Sequence, residues 1–134
     1  MDCFKAYDIR GRIPTELNDS IAYRIGVAVA DYFRATSIVI GYDVRPSSIE
    51  ILNALSKGIA SRKCKIFDIG LCGTEEIYFA TNLLNTDAGI MITASHNPSD
   101  YNGMKIVGPN ATPTSMDSGL GDIMKLTEKA VFDE

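Results

Sequence analysis

Residues 89 to 98 of this chain read Gly89-Ile90-Met91-Ile92-Thr93-Ala94-Ser95-His96-Asn97-Pro98. The first five residues form a continuous apolar run rich in β-branched side chains, which favours a strand buried on both faces, as in a parallel sheet. The strand cannot extend far beyond Thr93, because Asn97-Pro98 is a turn sequence and Pro98 has no backbone donor. Open α/β sheets bind their ligands at the carboxyl ends of such strands. The sequence therefore predicts Ser95 and His96 in a loop held by a buried strand.

The chain on either side alternates strand and helix patterns, which predicts an α/β fold, a three-layer α/β/α sandwich with a mostly parallel mixed sheet. Extended segments are expected at residues 4–10, ending in a turn at Gly11, and at 37–41, 65–69 and 104–107, the last of them antiparallel. The Asn102-Gly103 pair before that segment predicts a turn. Helices are expected after a cap at residues 18–20, after a capping box of Ser47 and Glu50, from a Thr74 cap to about Leu84, and over about 117–130. The 134 residues suit one domain.

Composition excludes several classes of protein. A formal charge of -4 and a pI near 4.9 argue against a nucleic-acid partner, which needs a basic surface. No apolar run approaches the length of a membrane span, and Met1-Asp2-Cys3-Phe4-Lys5 does not begin a signal peptide. The three scattered cysteines, with a single histidine, do not match a zinc motif and suit a reducing compartment. We expect a cytoplasmic protein with no membrane or nucleic-acid partner.

The neighbouring Ser95 and His96 raise the question of hydrolase chemistry. A triad needs an imidazole that reaches the hydroxyl from elsewhere in the fold, and adjacent residues of an extended chain point in opposite directions. No Gly-x-Ser-x-Gly elbow surrounds Ser95. A serine can instead carry a phosphoryl group, with His96, Lys105 and loop amides as partners for its charge. The residues leave open the plain alternative that Ser95 only caps a turn and His96 is a surface residue.

Three segments in this order carry a family resemblance. They are Tyr7-Asp8-Ile9-Arg10-Gly11, then Gly41-Tyr42-Asp43-Val44-Arg45 with Ser47-Ser48, and then the 89–98 run followed by Tyr101-Asn102-Gly103-Met104-Lys105. They resemble the N-terminal motifs of the α-D-phosphohexomutases, and the 89–98 run resembles that family's active-site serine loop. Within the family, Thr74-Glu75-Glu76 and Asp100-Tyr101-Asn102 are most similar to bacterial phosphomannomutases.

The resemblance implies a role for each candidate residue. Ser95 would carry the phosphoryl group, with His96 and Lys105 managing protons and charge around it and Arg10 facing the phosphoserine and the substrate. Tyr7 and Asn97 would contact the sugar phosphate, although Tyr7 also fits a half-buried strand aromatic. Lys105 reaches Ser95 if the intervening residues form a hairpin-like excursion. Asp43 and Arg45 fit a structural ion pair first and a site element second.

The expected activity is interconversion of mannose 6-phosphate and mannose 1-phosphate through a phosphoserine and a hexose bisphosphate. The family's Asp-Gly-Asp-x-Asp-Arg metal loop, sugar loop and phosphate clamp do not occur in these 134 residues. The resemblance therefore covers the first of four domains, which is expected to be inactive without domains 2 to 4. Mg²⁺ is the expected cofactor, with the Ser95 phosphate as its ligand on this chain.

Other readings of the sequence remain open. A phosphoglucomutase or a phosphoglucosamine mutase of the same family would carry the same N-terminal motifs, and fold similarity does not rank these sugars. A stand-alone binding module that has lost the chemistry is the alternative from another class. Apolar surface that faces the next domain in a complete enzyme would favour self-association of this chain.

Overall fold

The computed structural model describes residues 1–132. It contains five strands and four helices, with a short 3-10 turn between β5 and α4. In chain order these are β1 (Ile9–Arg12), α1 (Asp19–Phe33), β2 (Ser37–Tyr42), α2 (Ser48–Ala60), β3 (Lys65–Leu71), α3 (Thr74–Leu83), β4 (Ala88–Ile92), β5 (Tyr101–Val107), the 3-10 turn (Pro109–Ala111) and α4 (Leu120–Lys129).

The strands form one mixed sheet in the order β1-β5-β4-β2-β3. β2 pairs in parallel with both β3 and β4, whereas β5 pairs antiparallel with β4 and β1. Among the strands of residues 1–132, β5 alone therefore runs opposite to the others. The predicted mostly parallel mixed sheet and its antiparallel last strand are confirmed.

Alternation along the central strands distributes the core between the two faces of the sheet. Ile90 and Ile92 of β4 point to one face and pack with residues of α1, α2 and α4, while Met91 points to the other face and packs with Ile77 of α3 and Val107. All five residues of β4 are buried. Helices thus cover both faces, as the three-layer prediction required, and the carboxyl end of β4 is fixed from both sides.

The first predicted strand is wrong in its bounds. Residues 4–8 fold back on themselves, with the Lys5 amide donating to the Asp8 carbonyl at 2.8 Å, so that Phe4 makes only an isolated bridge to Ile9. β1 begins at Ile9 and runs to Arg12, and Gly11 lies inside it opposite Asn102 rather than in a turn.

The predicted turn at Asn102-Gly103 is also wrong, since both residues belong to β5. Gly103 fits there because a Cβ on it would collide with the backbone carbonyl of Ile9 on β1. The glycine therefore permits close pairing of two strands, which a local sequence reading cannot distinguish from the requirement of a turn.

Two predicted helix caps are wrong as well. Ser47 precedes α2 but makes no capping hydrogen bond, because its backbone is already helical and its hydroxyl accepts a hydrogen bond from Asn102. Thr74 is the first residue of α3, and the extended Gly73 before it donates its amide to the Glu76 carboxylate at 2.9 Å. The Asn18 cap of α1 is confirmed, since its side chain accepts from the Ile21 amide.

The last helix begins at Leu120 rather than near Asp117. Ser115 and Ser118 close a tight turn, with the Ser118 amide donating to the Ser115 carbonyl at 2.9 Å, and Gly119 follows with a φ of 106°. Within residues 1–132, no helix is long and apolar enough to span a membrane.

Candidate active site

Ser95 lies three residues beyond β4, at the start of the loop that leads to β5. Thr93 and Ala94 remain buried, and the chain reaches the surface at Ser95. Ser95 has a φ of 54°, a left-handed conformation that is unfavourable for a residue with a Cβ. Such a conformation persists only where surrounding contacts determine it. We define residues 95–100 as the serine loop.

Thr93 links the serine loop to the neighbouring strand. Its hydroxyl accepts a hydrogen bond from the Ser95 amide at 2.9 Å and donates to Oδ2 of Asp43 at 2.6 Å. Asp43 follows β2, the parallel neighbour of β4, and its amide donates to the Ile92 carbonyl at 3.1 Å. Because parallel strands end at the same edge, residues 50 positions apart in sequence meet at this point.

A buried polar cluster extends this link below the loop. The other carboxylate oxygen of Asp43 accepts from the Ser48 hydroxyl at 3.2 Å. Asn102, which is fully buried on β5, donates from Nδ2 to the hydroxyl oxygens of Ser47 and Ser48 at 2.9 and 3.1 Å. Each hydrogen bond satisfies a group that would otherwise be costly to bury. These hydrogen bonds connect the ends of β2 and β4 to α2 and β5, and through Thr93 they reach the Ser95 amide.

Arg45 makes the most extensive contacts with the serine loop. Its Nη1 donates to the carbonyls of Pro98 and Tyr101 at 2.7 and 3.1 Å, and its Nη2 donates to the carbonyls of Ser95 and Asn97 at 2.6 and 2.8 Å. Nε lies 3.6 Å from Asp43 Oδ2, and the side chain is 11% exposed. The predicted Asp43–Arg45 ion pair is present, but the guanidinium mainly binds the loop backbone.

An open groove of about 330 Å³ runs beside Ser95. Its walls come from the segment after β2 and from the serine loop, and its lining residues are Asp43, Val44, Arg45, Pro46, Ser95, Asn97 and Ser99. His96 is exposed next to Ser95, and within residues 1–132 it makes no hydrogen bond that would fix its side chain. Asn97 donates from Nδ2 to the Ala94 carbonyl at 2.8 Å, so in this structure it closes the loop.

Lys105 and Tyr7 line a second groove, of about 240 Å³, together with Tyr78 of α3 and Asp8. Lys105 pairs with Met91 in the antiparallel register, so both side chains point to the α3 face of the sheet. The Thr93 amide donates to the Gly103 carbonyl, so Gly103 marks the level of Thr93 on β5. Lys105 follows Gly103 by two residues and therefore lies about 7 Å from that level, toward the amino end of β4. β4 and β5 are consecutive antiparallel strands joined by the serine loop, so the hairpin-like excursion predicted between Ser95 and Lys105 is present.

Arg10 sits at the same edge, opposite Gly103 on β1. This register places its backbone two strand spacings, about 10 Å, from Thr93. Its Nε donates to Asp8 Oδ1 at 2.9 Å, and its side chain is 40% exposed. Tyr7 is 78% exposed and precedes β1, so the alternative of a half-buried strand aromatic is wrong. Ser95, His96 and Asn97 lie in the serine loop, whereas Tyr7 and Lys105 line the second groove, and among the described residues no hydrogen bond joins Ser95 to Arg10, Lys105 or Tyr7.

Sequence reasoning missed the part that Arg45, Thr93 and Asn102 play. Asp43-Val44-Arg45 directly follows the predicted strand at residues 37–41. Because β2 and β4 are parallel neighbours, this position places the segment beside the serine loop, and it could have marked Arg45 as a site residue. Asn102 was interpreted as a turn residue. Chemically, the arrangement presents the exposed hydroxyls of Ser95 and Ser99 on a loop held by Arg45, with the cationic side chains of Lys105 on β5 and Arg10 on β1.

Comparisons with known proteins identify the family of this chain. The family model for "Phosphoglucomutase/phosphomannomutase, alpha/beta/alpha domain I" matches residues 1–133. The chain is similar to a phosphomannomutase of Salmonella montevideo, with 53% identity over 132 residues that cover 98% of this chain and 29% of that protein. A phosphomannomutase of Klebsiella pneumoniae is also 53% identical over 132 residues, which cover 98% of this chain and 84% of that protein.

A solved structure gives the same result. The crystal structure of a phosphoglucomutase/phosphomannomutase family protein from Burkholderia thailandensis superposes with a TM-score of 0.86 and 32% identity, covering 98% of this chain and 31% of that one. The chain spans 29% of the length of the Salmonella and Escherichia coli phosphomannomutases it matches. With a family model, close relatives and a shared fold in agreement, the chain belongs to the phosphoglucomutase/phosphomannomutase family and corresponds to its alpha/beta/alpha domain I.

Proposed function

We propose that this chain is the serine-bearing first domain of a four-domain phosphohexomutase that interconverts mannose 6-phosphate and mannose 1-phosphate. The observation that carries the proposal is the placement of Ser95, an exposed hydroxyl on a loop fixed by Thr93 and Arg45 at the carboxyl end of a buried strand. The relatives that bear the name phosphomannomutase support mannose as the sugar.

The proposed reaction has two phosphoryl transfers. In the first, the Oγ–P bond of phosphorylated Ser95 breaks as a hydroxyl oxygen of the sugar monophosphate bonds to phosphorus and gives up its proton. The resulting hexose bisphosphate turns around, and Ser95 Oγ then takes the other phosphoryl group. The transferring group carries about two negative charges, so catalysis depends mostly on positioning and on nearby cations.

The remaining candidate residues supply those functions. His96 would exchange the proton, because its exposed imidazole adjoins Ser95 and a histidine side chain can act as both general acid and general base. Lys105 and Arg10 would approach the phosphate from β5 and β1. Tyr7 and Asn97 would contact the sugar phosphate, and Asn97 would have to do so while its amide holds the Ala94 carbonyl.

Magnesium is the cofactor expected for such a transfer, since it neutralises phosphate charge. Residues 1–132 contain no group of three or more histidine, cysteine, aspartate or glutamate side chains that could hold a metal ion. Of the residues beside Ser95, Asp43 already accepts hydrogen bonds at both carboxylate oxygens. This part of the chain therefore does not fit a complete magnesium site, and a phosphate on Ser95 would offer one ligand to a site completed elsewhere.

The proposal implies partners as well. A hexose phosphate is the substrate, and domains 2 to 4 of the complete enzyme would supply the metal ligands and the clamp for the far phosphate. A cytoplasmic location remains a prediction from the cysteine pattern, as does the absence of a nucleic-acid partner from the acidic composition.

The test replaces the proposed phosphoryl carrier in the complete enzyme. We expect Ser95→Ala to lower the conversion of mannose 1-phosphate by about 10³-fold or more, equivalent to about 4 kcal/mol of activation free energy. Ser99→Ala is the matched control, because Ser99 is exposed in the same loop and lines the same groove. We expect it to retain activity. Intact mass of the purified wild type should reveal one phosphoryl group that Ser95→Ala lacks.

Three outcomes would overturn part or all of the proposal. If the wild type converts glucose or glucosamine phosphates and not mannose phosphates, the fold and the serine chemistry stand and the sugar is wrong. If Ser95→Ala converts every sugar at the wild-type rate, Ser95 is not the carrier. Complete inactivity of the wild type on all three sugars would favour the binding-module alternative.

A further inference from the structure

We infer that Arg45 is the positioning residue of the serine loop, and that it acts on catalysis by holding the backbone around Ser95 rather than by binding substrate. The inference rests on the proposed function. It goes beyond the structural ion pair that the sequence suggests, because the four hydrogen bonds from Arg45 to the loop and to Tyr101 are the largest set of contacts that any one side chain makes there.

Without Arg45, the serine loop would lose the donors that fix its backbone carbonyls. Within residues 1–132, the carbonyls of Ser95 and Asn97 have no donor other than Arg45, and the Pro98 carbonyl accepts one further bond, from the Tyr101 amide. The serine loop has no regular secondary structure to fix these groups. Loss of the guanidinium would leave carbonyls unpaired and would release the left-handed conformation at Ser95.

Arg45 is itself held in one orientation, by its planar shape and by Asp43. The guanidinium is planar and has five N–H donors in a fixed fork. Asp43 holds the Nε side at 3.6 Å, and Asp43 is in turn held by the Thr93 and Ser48 hydroxyls. Lysine has a single ammonium group at the end of a flexible chain, so it cannot reach four carbonyls in this arrangement.

The N–H groups of Arg45 are all directed at the protein, which fits positioning and not substrate binding. All four N–H groups on Nη1 and Nη2 are donated to backbone carbonyls. The remaining N–H, on Nε, is buried and faces Asp43 without forming a hydrogen bond. Arg45 therefore has no exposed donor for a substrate phosphate while it holds the loop. A loss of Arg45 should lower kcat, because Ser95 is misplaced, and should leave KM nearly unchanged.

The experiment compares Arg45→Lys and Arg45→Ala with the wild type in the complete enzyme. We expect kcat to fall by about 10²-fold in Arg45→Ala and by less in Arg45→Lys, while KM changes by less than about threefold. Hydrogen exchange of a peptide spanning the serine loop should be faster in both variants, and exchange in β2 and β4 should be unchanged.

Arg12→Lys is the matched control. Arg12 is an exposed arginine that contacts the same region from β1, through Asp100 at 3.2 Å and the Tyr101 hydroxyl at 3.4 Å. We expect its kcat, KM and loop exchange to match those of the wild type, because it donates to none of the loop carbonyls.

Several results would overturn the inference. These are a wild-type kcat in Arg45→Lys and Arg45→Ala, a rise in KM with an unchanged kcat, or loop exchange equal to that of the wild type. If Arg45→Ala does not fold, the Arg45→Lys kinetics and exchange decide. Retained turnover in Ser95→Ala would remove the proposed chemistry, and the loop exchange would still test whether Arg45 holds the loop.

Discussion

Asp87 joins the start of β2 to the start of β4 through one carboxylate oxygen. Its Oδ2 accepts from the Thr36 amide at 2.8 Å, the Thr36 hydroxyl at 3.1 Å and the Ser37 amide at 3.3 Å. These hydrogen bonds, the Thr36 amide first, lower the pKa of Asp87 below its usual value near 3.8, because they stabilise the ionised carboxylate. One residue at the amino end of the sheet thus fixes the spacing of two strands that carry the site at the other end.

A pH-dependent effect on stability follows for Asp87→Asn. Because the pKa is lower in the folded state, the wild-type carboxylate stabilises the fold above the unfolded pKa near 3.8 and loses this effect as the pH falls through the folded value. We expect Asp87→Asn to be less stable than the wild type at pH 7, with a smaller difference at pH 3, as measured by urea unfolding. Asp117→Asn, an exposed carboxylate without a hydrogen bond in the described chain, should show no such change. An equal difference at both pH values would contradict this account.

The position of a residue in the fold could be predicted when neighbouring residues in the sequence determine it, and could not when residues distant in the sequence do. Ser95 could be placed from sequence because the apolar run of β4 predicts a buried strand that ends at Thr93. Arg45 could not, since its hydrogen bonds join residues about 50 positions apart, and nothing near Arg45 in sequence specifies them. Asn102 was misread because asparagine beside glycine also fits a turn, and only the sheet register shows that its amide is buried.

At the level of elements, α1 and α2 pack closely because each contributes a glycine to their contact. A Cβ on Gly58 would collide with the Tyr23 carbonyl of α1, and one on Gly26 would collide with the Leu55 carbonyl of α2. The backbones of the two helices therefore lie in direct contact, and together they bury the apolar face of the sheet beneath them. Helical periodicity predicted both helices, but it could not predict this approach, which depends on the relative position of two helices.

We expect Gly58→Ala to lower the free energy of unfolding by about 1–3 kcal/mol, since the helices must separate to admit a methyl group. The usual gain of about 1 kcal/mol in helix propensity would offset part of the cost. Asn53→Ala, on the exposed side of the same helix, is the control and should change stability by less than about 0.5 kcal/mol. Denaturant unfolding would measure both, and a Gly58→Ala protein as stable as the wild type would mean that the helices can adjust freely.

Over the whole molecule, the α3 side of the sheet is less well covered than the opposite side. Phe79 and Leu83 lie four residues apart on one face of α3 and are 65% and 69% exposed. We call these two residues the α3 patch. Three helices cover the other face of the sheet, whereas α3 is the one α-helix of the described chain on this face, where the 3-10 turn packs beside it.

We expect the chain of residues 1–134 to self-associate through the α3 patch at high concentration. Replacing Phe79 with glutamine and Leu83 with lysine, both good helix formers, should reduce the association without unfolding α3. Val131→Gln removes an exposed apolar side chain elsewhere and serves as the control. Sedimentation velocity across a range of concentrations would measure the effect, and a wild-type monomer at the highest concentration would refute it.

The position of β5 between β1 and β4 also has a consequence for how the chain acquires its structure. β1 is the first strand of the described chain to be synthesised, yet its partner in the sheet emerges about ninety residues later. Such a pairing of distant segments raises the contact order and slows folding. On the ribosome, the β2-α2-β3 segment can assemble first, and the amino-terminal edge must wait until β5 has been translated. The site at the carboxyl end of β4 therefore forms only after β5 has been translated and has paired with β4 and β1.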